Sequence, residues 1–492
     1  MEISRSTYIY CLCACLNSCN LGYDIGIGTQ AGRLIQDDLG LTRVQRELFV
    51  GSIDFWAMFG ALSAQYVSDT YGRRKTFLVA ATGFIFGVVI TGIAQTYSVL
   101  MLGRMLVGLG VGVGLAIDPL YIAEISPAKH RGELVTWSEI ALNVGIVLGF
   151  SMSIILAPIA DGTEWRWMFF AGTIMPIVMI ALVLKVMPES PRWLVSKGRE
   201  TEAFEILQTI YPKGYDVDLV VHDMKEAYVR DRAVEHAAGW QIIWNPTPAF
   251  RRILLVGIGV AVAQQAVGID SIQYYLLDVL EKSGINSEQK QNLLLIFLGM
   301  VKLLFIVVGG KLFDIKGRRP LLFISLIGMA IALLMISITF FIASSTSSGF
   351  IIFGLGMYLA AFSVGMGPGA WLVPAEVFPT SIRAKAMSLS AFLNRATATL
   401  MASTFLSTAN AIGWGGFFLL LSIISLLVLG FLWIYLPETK GRSLEDMSTY
   451  FAEITGDNSI LEAEVRISEA RDPAVELSIL KKSQRTTDRE VI

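Results

Sequence analysis

The dominant pattern in this sequence is a series of apolar runs separated by short polar connections. Each run has about 20 residues, the length at which a helix crosses the hydrocarbon core of a bilayer. The runs form two sets of six, with a polar stretch between the sets. We therefore predict twelve transmembrane helices, at 8–28, 48–68, 76–94, 98–125, 134–157 and 167–187 in the first set, and at 253–281, 292–313, 320–343, 350–378, 385–410 and 414–436 in the second.

The connections divide the chain into four predicted parts. Residues 1–188 form an N-terminal six-helix bundle, and residues 253–437 form a C-terminal one. Residues 189–252 are charged and short of apolar runs, so we expect small amphipathic helices on one membrane surface. Residues 438–492 form a tail, most of which is charged and lacks an apolar face, and we expect it to be largely disordered.

Lys and Arg are concentrated in the connections on one side of the predicted bundle, for example at 73–75, 129–131 and 316–319. The opposite connections between helices three and four, nine and ten, and eleven and twelve contain neither residue. Because cytosolic loops of membrane proteins are enriched in Lys and Arg, the basic side is expected to be cytosolic. Both termini then lie in the cytosol. We expect a plasma-membrane protein, and a vacuolar membrane stays an open alternative.

The composition agrees with a multi-pass membrane protein. Of the 492 residues, 54% are hydrophobic and only 16% are charged, a balance that soluble domains do not show. The net charge of -2 argues against nucleic acid as a partner, since no basic face could neutralise many phosphates. The four cysteines share the first apolar run, and we expect unpaired thiols there rather than disulfides or metal ligands: Cys11, Cys13, Cys15 and Cys19.

Three short motifs occur once in each set of helices at a nearly constant offset. An Asp-x-x-Gly-Arg-Arg loop at 69–74 recurs at 314–319, and Glu124 followed by Pro127 and Arg131 recurs as Glu376, Pro379 and Arg383. The pair Pro188-Glu189 recurs as Pro437-Glu438. Repeats of the same polarity indicate two parallel six-helix halves that are related by an axis along the membrane normal, with a ligand between them.

The stretch from Ala263 to Leu276 places many polar side chains inside one predicted span. Such side chains are expensive in hydrocarbon and survive where they face a bundle interior or a water-filled cavity. Gly268 makes the helix easy to break here, as in transporters that expose backbone to a ligand. The alternative is that these residues join neighbouring helices. The polar members are Gln264, Gln265, Asp270, Gln273, Tyr274 and Tyr275.

We find no phosphate-binding loop, nucleophile–base pair or metal cluster at usable spacing in the sequence. We therefore expect neither an enzyme nor a cofactor or metal. The glycine run from Gly108 to Gly114 is interpreted as a close-packing face of a membrane helix.

Taken together and in order, the motifs resemble the sugar porter branch of the major facilitator superfamily, most closely its plant-type polyol and monosaccharide proton symporters. The resemblance covers nearly the whole chain. Thr70 and Gln65 depart from the pattern at the first Asp-x-x-Gly-Arg-Arg loop. The motifs that carry it are Gly22-Tyr23-Asp24, both Asp-x-x-Gly-Arg-Arg loops, Gly103-Arg104, Pro119-x-Tyr121-x-x-Glu124, Pro188-Glu189-Ser190-Pro191-Arg192, Gln264-Gln265-x-x-Gly268, Gly367-Pro368-x-x-Trp371 and Pro437-Glu438-Thr439.

The resemblance implies a substrate site of amides, phenols and a few charges, suited to a ligand rich in hydroxyl groups. Asp270 and Lys302 stand where most sugar porters have Asn, which resembles the polyol subgroup. We expect these two charges to pair beside the substrate, with a purely structural bridge as the alternative. The implied substrate-binding residues are Gln264, Gln265, Asp270, Tyr275, Lys302, Trp371, Asn143 and Asn394.

The resemblance also implies a proton-coupling pair and a gate. Asp24 and Arg104 are predicted in the outer half of the membrane, and facilitative relatives lack the acid; a permanent salt bridge is the alternative. The gate is expected to bond the halves together on the cytosolic side, and a solvated charge cluster is its alternative. Its members are Asp69, Arg73, Arg74, Glu124, Arg131, Glu189, Asp314, Arg318, Arg319, Glu376, Arg383 and Glu438.

The expected function is import of a polyol or monosaccharide together with a proton, by alternating access in a lipid bilayer. A facilitative sugar uniporter is the nearest alternative, and a non-transporting sugar receptor, which usually carries a long signalling tail, is a further one. Three more acidic residues fall inside predicted spans without an assigned role: Asp54, Asp118 and Glu139.

Overall fold

The computed structural model describes residues 4–127, 130–156, 162–212, 214–237, 241–342, 347–379, 382–442 and 444–461. In these ranges the chain is a bundle of membrane-spanning helices. The first half consists of α1 (Arg5–Leu39), α2 (Arg43–Tyr71), α3 (Arg73–Ile93), α4 (Tyr97–Ile125), α5 (Arg131–Leu156), α6 (Glu164–Ala171) and α7 (Ile174–Lys185).

Four short helices follow at one end of the bundle, which we call the linker face: α8 (Pro191–Ser196), α9 (Glu200–Ile210), α10 (Val217–Ala237) and α11 (Gln241–Trp244). The second half contains α12 (Pro248–Ala266), α13 (Ile269–Tyr274), α14 (Leu276–Lys282), α15 (Glu288–Lys316), α16 (Arg318–Ile342), α17 (Ser347–Val364), α18 (Met366–Val377) and α19 (Arg383–Tyr435), followed by α20 (Leu444–Thr455). The other end of the bundle is called the opposite face.

These elements make twelve spans in the described ranges, which confirms the predicted all-helical membrane fold of two six-helix halves. The pairs α6–α7 and α17–α18 each form one span, and α12–α14 together form another. The 53 residues of α19 contain two spans, because Gly413 has non-helical dihedral angles and turns the chain back at the opposite face. The first helix is longer than predicted, since its polar end continues to Leu39.

The repeated Asp-x-x-Gly-Arg-Arg motif forms the same turn in both halves. Gly72 ends α2 with φ 95° and Gly317 ends α15 with φ 91°. A Cβ at either position would also meet a glutamate carboxylate, Glu189 in the first half and Glu438 in the second. Each glycine therefore serves a left-handed turn and a close contact, and the next helix starts at once.

Glycines also let helices approach one another closely inside the first half. The glycine run of α4 packs as predicted: a Cβ on Gly108 would collide with α2, as would one on Gly112, and a Cβ on Gly110 would press on the backbone of α3. Small residues at helix contacts are the usual means of close packing in membranes. The four cysteines of α1 are buried free thiols.

The expectation of a largely disordered tail is wrong for its first part. α20 is a helix, and Met447, Phe451 and Ile460 are buried in the core of the second half. The missed signal is the spacing of Met447, Tyr450, Phe451 and Ile454, which gives this segment an apolar face. The rest of the tail, 462–492, lies outside the described residues.

Candidate functional site

The polar stretch predicted as a ligand site lies at a break in the seventh span. α12 ends at Ala266, and Gly268 adopts φ 88° before α13 begins. The carbonyl group that Val267 leaves free at the break accepts a hydrogen bond from the Tyr358 hydroxyl at 2.9 Å. The tenth span, in the same half, is also broken, at Gly365 between α17 and α18. Backbone is thus exposed to side chains where two helices of the second half are interrupted.

Two of the predicted amides bond to each other across these helices. Asn394 of α19 donates from Nδ2 to Gln264 Oε1 at 2.9 Å and to the Ala261 carbonyl at 2.7 Å. Gln264 donates from Nε2 to the Gly367 carbonyl at 2.8 Å. Gln264 and Asn394, which the sequence predicts as substrate-binding residues, therefore join helices seven, ten and eleven at the site. In this state these amide groups are largely satisfied by protein.

Two other predicted residues have unused acceptors. Gln265 Oε1 and Asn143 Oδ1 are buried without a hydrogen-bond partner. The Nδ2 group of Asn143 donates to the Glu139 carbonyl at 2.8 Å, so its oxygen is the atom left to interact. Buried polar atoms are nearly always satisfied in proteins. An acceptor of this kind suits a hydroxyl group of a small ligand.

The aromatic candidates lie in different settings. Tyr275 is fully buried, donates its hydroxyl to the Ala402 carbonyl at 3.0 Å, and stacks on Phe405 with ring centroids 4.7 Å apart. Its contacts join helix seven to helix eleven. Trp371 is partly buried on α18, about one turn after Gly367.

The expected direct pair between Asp270 and Lys302 is not formed in this structure. Lys302 Nζ donates to Gln273 Oε1 at 2.7 Å, and Asp270 Oδ2 lies 3.5 Å from Arg395 Nη1. Helix length places both residues at a similar depth in the membrane, but it does not determine which cation lies nearer to Asp270. Gln273, one turn after Asp270, takes the lysine, and an arginine of helix eleven takes the carboxylate.

Arg395 is the residue that the sequence interpretation missed. It lies inside the eleventh span and donates from Nη1 to Asp54 Oδ1 of α2 at 2.9 Å. This contact accounts for Asp54, which had no assigned role, and it crosses from one half to the other. The signal was available, since an arginine within 385–410 is as conspicuous as Arg104.

Asp24 and Arg104 form the buried ion pair that the sequence predicted. Arg104 Nη1 lies 3.3 Å and 3.2 Å from the two Asp24 oxygens, and both side chains are 0% exposed. The guanidinium group also covers the ring of Phe49 at 4.3 Å, while its Nε and Nη2 have no hydrogen-bond partner. The pair joins α1 to α4 within the first half. The guanidinium group of Arg104 does not lose its proton, so the buried pair is stable while the Asp24 carboxylate compensates that charge.

At the opposite face, charged side chains join the two halves. Arg46 makes two bonds to Asp278, at 3.0 Å and 2.6 Å. Arg33 lies 3.3 Å from Asp278 and 2.8 Å from Glu281. Next to them, the Glu47 carboxylate accepts hydrogen bonds from the backbone N–H and the hydroxyl of Ser407. None of these residues was among the sequence predictions, because each charged member looks like an ordinary helix-end charge.

At the linker face, the predicted gate residues assemble twice. Arg73 binds Glu124 through two bonds at 2.8 Å and 2.7 Å and lies 3.2 Å from Asp69. Glu189 accepts from the N–H groups of Arg73, Arg74 and Ser190. Burial raises the pKa of the Glu189 carboxyl above its ordinary value, and these N–H bonds partly offset that shift.

The second half repeats the arrangement. Arg318 binds Glu376 at 3.0 Å and 2.7 Å, and Glu438 accepts from the N–H groups of Arg318 and Arg319. Arg383 donates to the Phe378 carbonyl. These bonds each stay within one half, whereas the expected gate bonded the halves to each other. The side chains of Arg131 and Asp314 lie outside the described part of the chain.

Comparison with known proteins identifies the family to which this fold belongs. Residues 10–451 match the family described as "Sugar (and other) transporter". The chain is a secondary transporter of the major facilitator superfamily and belongs to this sugar transporter family. It is accordingly a multi-pass integral membrane protein and a transporter rather than an enzyme.

Two relatives from Arabidopsis thaliana are described as polyol transporters. The chain is 38% identical to "Probable polyol transporter 4" over 89% of its own length and 84% of that protein. It is 34% identical to "Polyol transporter 5", covering 91% and 87% of the two chains.

Solved structures of the xylose transporter XylE from E. coli resemble the chain throughout. The inward open conformation has a TM-score of 0.77 at 25% identity, covering 90% of this chain and 99% of that one. The structure of the proton:xylose symporter XylE with bound 6-bromo-6-deoxy-D-glucose has the same TM-score, identity and coverage.

Proposed function

We propose that this sugar transporter is a proton-coupled symporter that imports a polyol or monosaccharide by alternating access. The observation that carries the proposal is the Asp24–Arg104 pair, sealed inside the membrane with no exposure to solvent. An intramembrane carboxylate needs either a cation or a proton to be stable. Movement of Arg104 away from Asp24 creates the need for a proton, and its return releases that proton.

The proposed substrate site lies at the breaks of helices seven and ten. Its members are Gln264, Gln265, Asp270, Tyr275, Lys302, Trp371, Asn143 and Asn394. Amides, a carboxylate and an ammonium group offer donors and acceptors in the mixture that hydroxyl groups require. The unused acceptors of Gln265 and Asn143 support this placement, as does the resemblance to relatives described as polyol transporters.

The proposed orientation places the linker face in the cytosol of a cell whose plasma membrane hosts the protein. The Lys and Arg residues of the connections support it. In that orientation the bonds at the opposite face close the site toward the outside. The structure then corresponds to a carrier closed externally.

The decisive experiment reconstitutes the purified protein in liposomes and measures uptake of labelled sorbitol, inositol, xylose and glucose with and without an inward proton gradient. We expect one of these compounds to accumulate above its equilibrium level only when the gradient is present. Asp24→Asn should abolish that accumulation while substrate exchange across the membrane continues.

The facilitative alternative makes a different prediction. A uniporter equilibrates the substrate at the same final level with or without a gradient, and Asp24→Asn then changes only the rate. Accumulation in Asp24→Asn with normal dependence on the gradient would exclude Asp24 as the coupling residue.

A further inference from the structure

One arginine in the centre of the molecule lies between two carboxylates that belong to different halves. Arg395 of α19 is 2.9 Å from Asp54 of α2, in the first half, and 3.5 Å from Asp270 of α13, in the second. All three side chains are largely buried, and that of Asp54 is only 3% exposed. A single guanidinium group is thus within reach of two acids, and the shorter of its two contacts crosses the boundary between the halves.

The cross-half contact is the deepest member of a seam between α2 and α19. The seam begins near the opposite face, where Glu47 accepts from Ser407. It continues at Gly51, where a Cβ would collide with the Ser403 hydroxyl, so the small Ser403 side chain lies directly against the backbone of α2. It ends at Asp54 and Arg395, about one turn further along α2 and two turns further along α19. Opening of the opposite face must separate α2 from α19 along this seam and break the ion pair.

After that separation, Arg395, Asp270 and Asp54 differ in the partners that remain available to them. Arg395 remains charged at any physiological pH, so it must keep an anionic partner while it is away from water. Asp270 lies in the same half as Arg395 and moves with it. Asp54 moves away with the first half, and one of its oxygens, Oδ2, lacks a hydrogen-bond partner even in the closed arrangement.

We propose that Arg395 exchanges carboxylates during the transport cycle, binding Asp54 while the opposite face is closed and Asp270 while it is open. The two acids then act in opposite directions on one equilibrium. Asp54 stabilises the state closed at the opposite face, and Asp270 stabilises the state open there. The proposal rests on the alternating access in the proposed function, but it needs neither proton coupling nor a particular substrate.

The test measures how often the opposite face opens in the absence of substrate and of any gradient. The four cysteines of α1 are replaced by serine, and Asn292→Cys serves as the reporter. Asn292 is buried and accepts a hydrogen bond from Gln30 of the other half at 3.4 Å, so it is uncovered when the halves part there. The reconstituted protein is exposed to a membrane-impermeant maleimide on the opposite face, and the rate of labelling is recorded.

The two acids should give opposite results in this assay. Asp54→Asn should label faster by about tenfold, a change that a minor open population of a few per cent allows. Asp270→Asn should label more slowly than the reporter parent. Asp118→Asn is the matched control, since Asp118 is an equally buried acid of the first half whose described partner, Ser18, lies in the same half. Its labelling rate should not change.

The proposal is overturned if both neutralisations shift labelling in the same direction, or if Asp54→Asn labels at the parental rate. Should Asp54→Asn fold poorly, Asp54→Glu supplies the measurement, because it keeps the charge and should retain slow labelling while Asp270→Asn is slower still. Failure of proton coupling or of polyol transport is seen in the uptake experiment and leaves the labelling rates unaffected. The two proposals can therefore fail independently.

Discussion

The two faces of this transporter use the same chemistry, arginine bound to carboxylate, for different purposes. At the linker face, Arg73 with Glu124 and Arg318 with Glu376 each tie helix ends together inside one half. At the opposite face, Arg46 with Asp278 and Arg33 with Glu281 tie one half to the other. The first kind of bond preserves the shape of a half while it moves. Under the proposed alternating access, the second kind must break in every cycle, so bonds of that kind can set the balance between states.

The difference between the two faces predicts the largest loss of stability at the linker face of the first half, where an ion pair within one half is removed. Arg73 and Glu124 have only 9% and 8% of their side chains exposed. Arg73→Gln therefore strands a buried carboxylate, and we expect the free energy of unfolding to fall by about 3–5 kcal/mol. Thermal unfolding of the purified protein measures the loss.

The repeated pair in the second half is the matched comparison. Arg318 and Glu376 are 14% and 25% exposed, so water can replace part of the lost bond. Arg318→Gln should lower the free energy of unfolding by about 1 kcal/mol. Equal losses in the two variants would show that burial does not decide the strength of these pairs.

At the opposite face, we expect an effect on the balance of states rather than on stability. Arg46→Gln removes two short bonds to Asp278 and should raise labelling of the Asn292→Cys reporter by about tenfold, a shift of about 1.4 kcal/mol between the two states. Arg33→Gln removes a more exposed contact with Glu281 and should raise labelling by about threefold. Thermal unfolding of the same proteins provides the control, and a large loss of stability without faster labelling would contradict the distinction between the faces.

A local effect is expected at the contact that holds α20 to the second half. Asp457 accepts from the N–H groups of Ala249 and Ser459, at 3.0 Å and 2.9 Å. Partial burial alone would raise the pKa of Asp457, but these bonds and those from the Thr247 and Ser459 side chains outweigh burial and lower the pKa to about 2. Asp457→Asn should therefore loosen α20 at neutral pH, by about 1 kcal/mol.

The pH dependence of this contact follows from the sign of the shift. A carboxyl whose folded-state pKa is lowered contributes stability above its unfolded pKa, about 3.9, and that contribution disappears as the pH falls toward 2. After correction for the intrinsic pH dependence of amide exchange, the protection of the α20 amides should fall over this interval in the parent protein. In Asp457→Asn the amides should be less protected already at neutral pH, with no additional loss of protection over the same interval. Parent-like protection in the variant would show that apolar packing alone holds the helix.

Much of the fold could be predicted from the sequence, because the thickness of a bilayer dictates the length of each apolar run and the repeats relate the two halves. The break at Gly268 was also predictable, since glycine and polar residues coincide there. The partners of the charged residues were not. Periodicity places Asp270 and Lys302 at a depth, but the choice between Lys302 and Arg395 as partner of Asp270 depends on how helices seven, eight and eleven are rotated about their axes.

The bonds of the opposite face escaped for a related reason. Arg33, Arg46 and Asp278 lie near helix ends, where charges usually face water. Nothing in their local sequence therefore distinguishes a residue that bonds the two halves together from a solvated one. Their role follows only from the approach of the two halves. That approach is a property of the one conformation described, and under the proposed alternating access the same sequence must also encode another.

The glycines at the crossing of α1 and α5 determine what Asp24 can do mechanically. A Cβ at Gly22 or Gly26 would strike the backbone of α5, and one at Gly145 or Gly149 would strike the backbone of α1. The two helices thus pack backbone to backbone. Asp24 lies on α1 between the first two of these glycines, Gly22 and Gly26. A side chain mounted on so stiff a support cannot travel on its own. Under the proposed mechanism, protonation of Asp24 therefore acts on α1 and α5 together. The first half then moves as a rigid body and does not deform locally around Asp24.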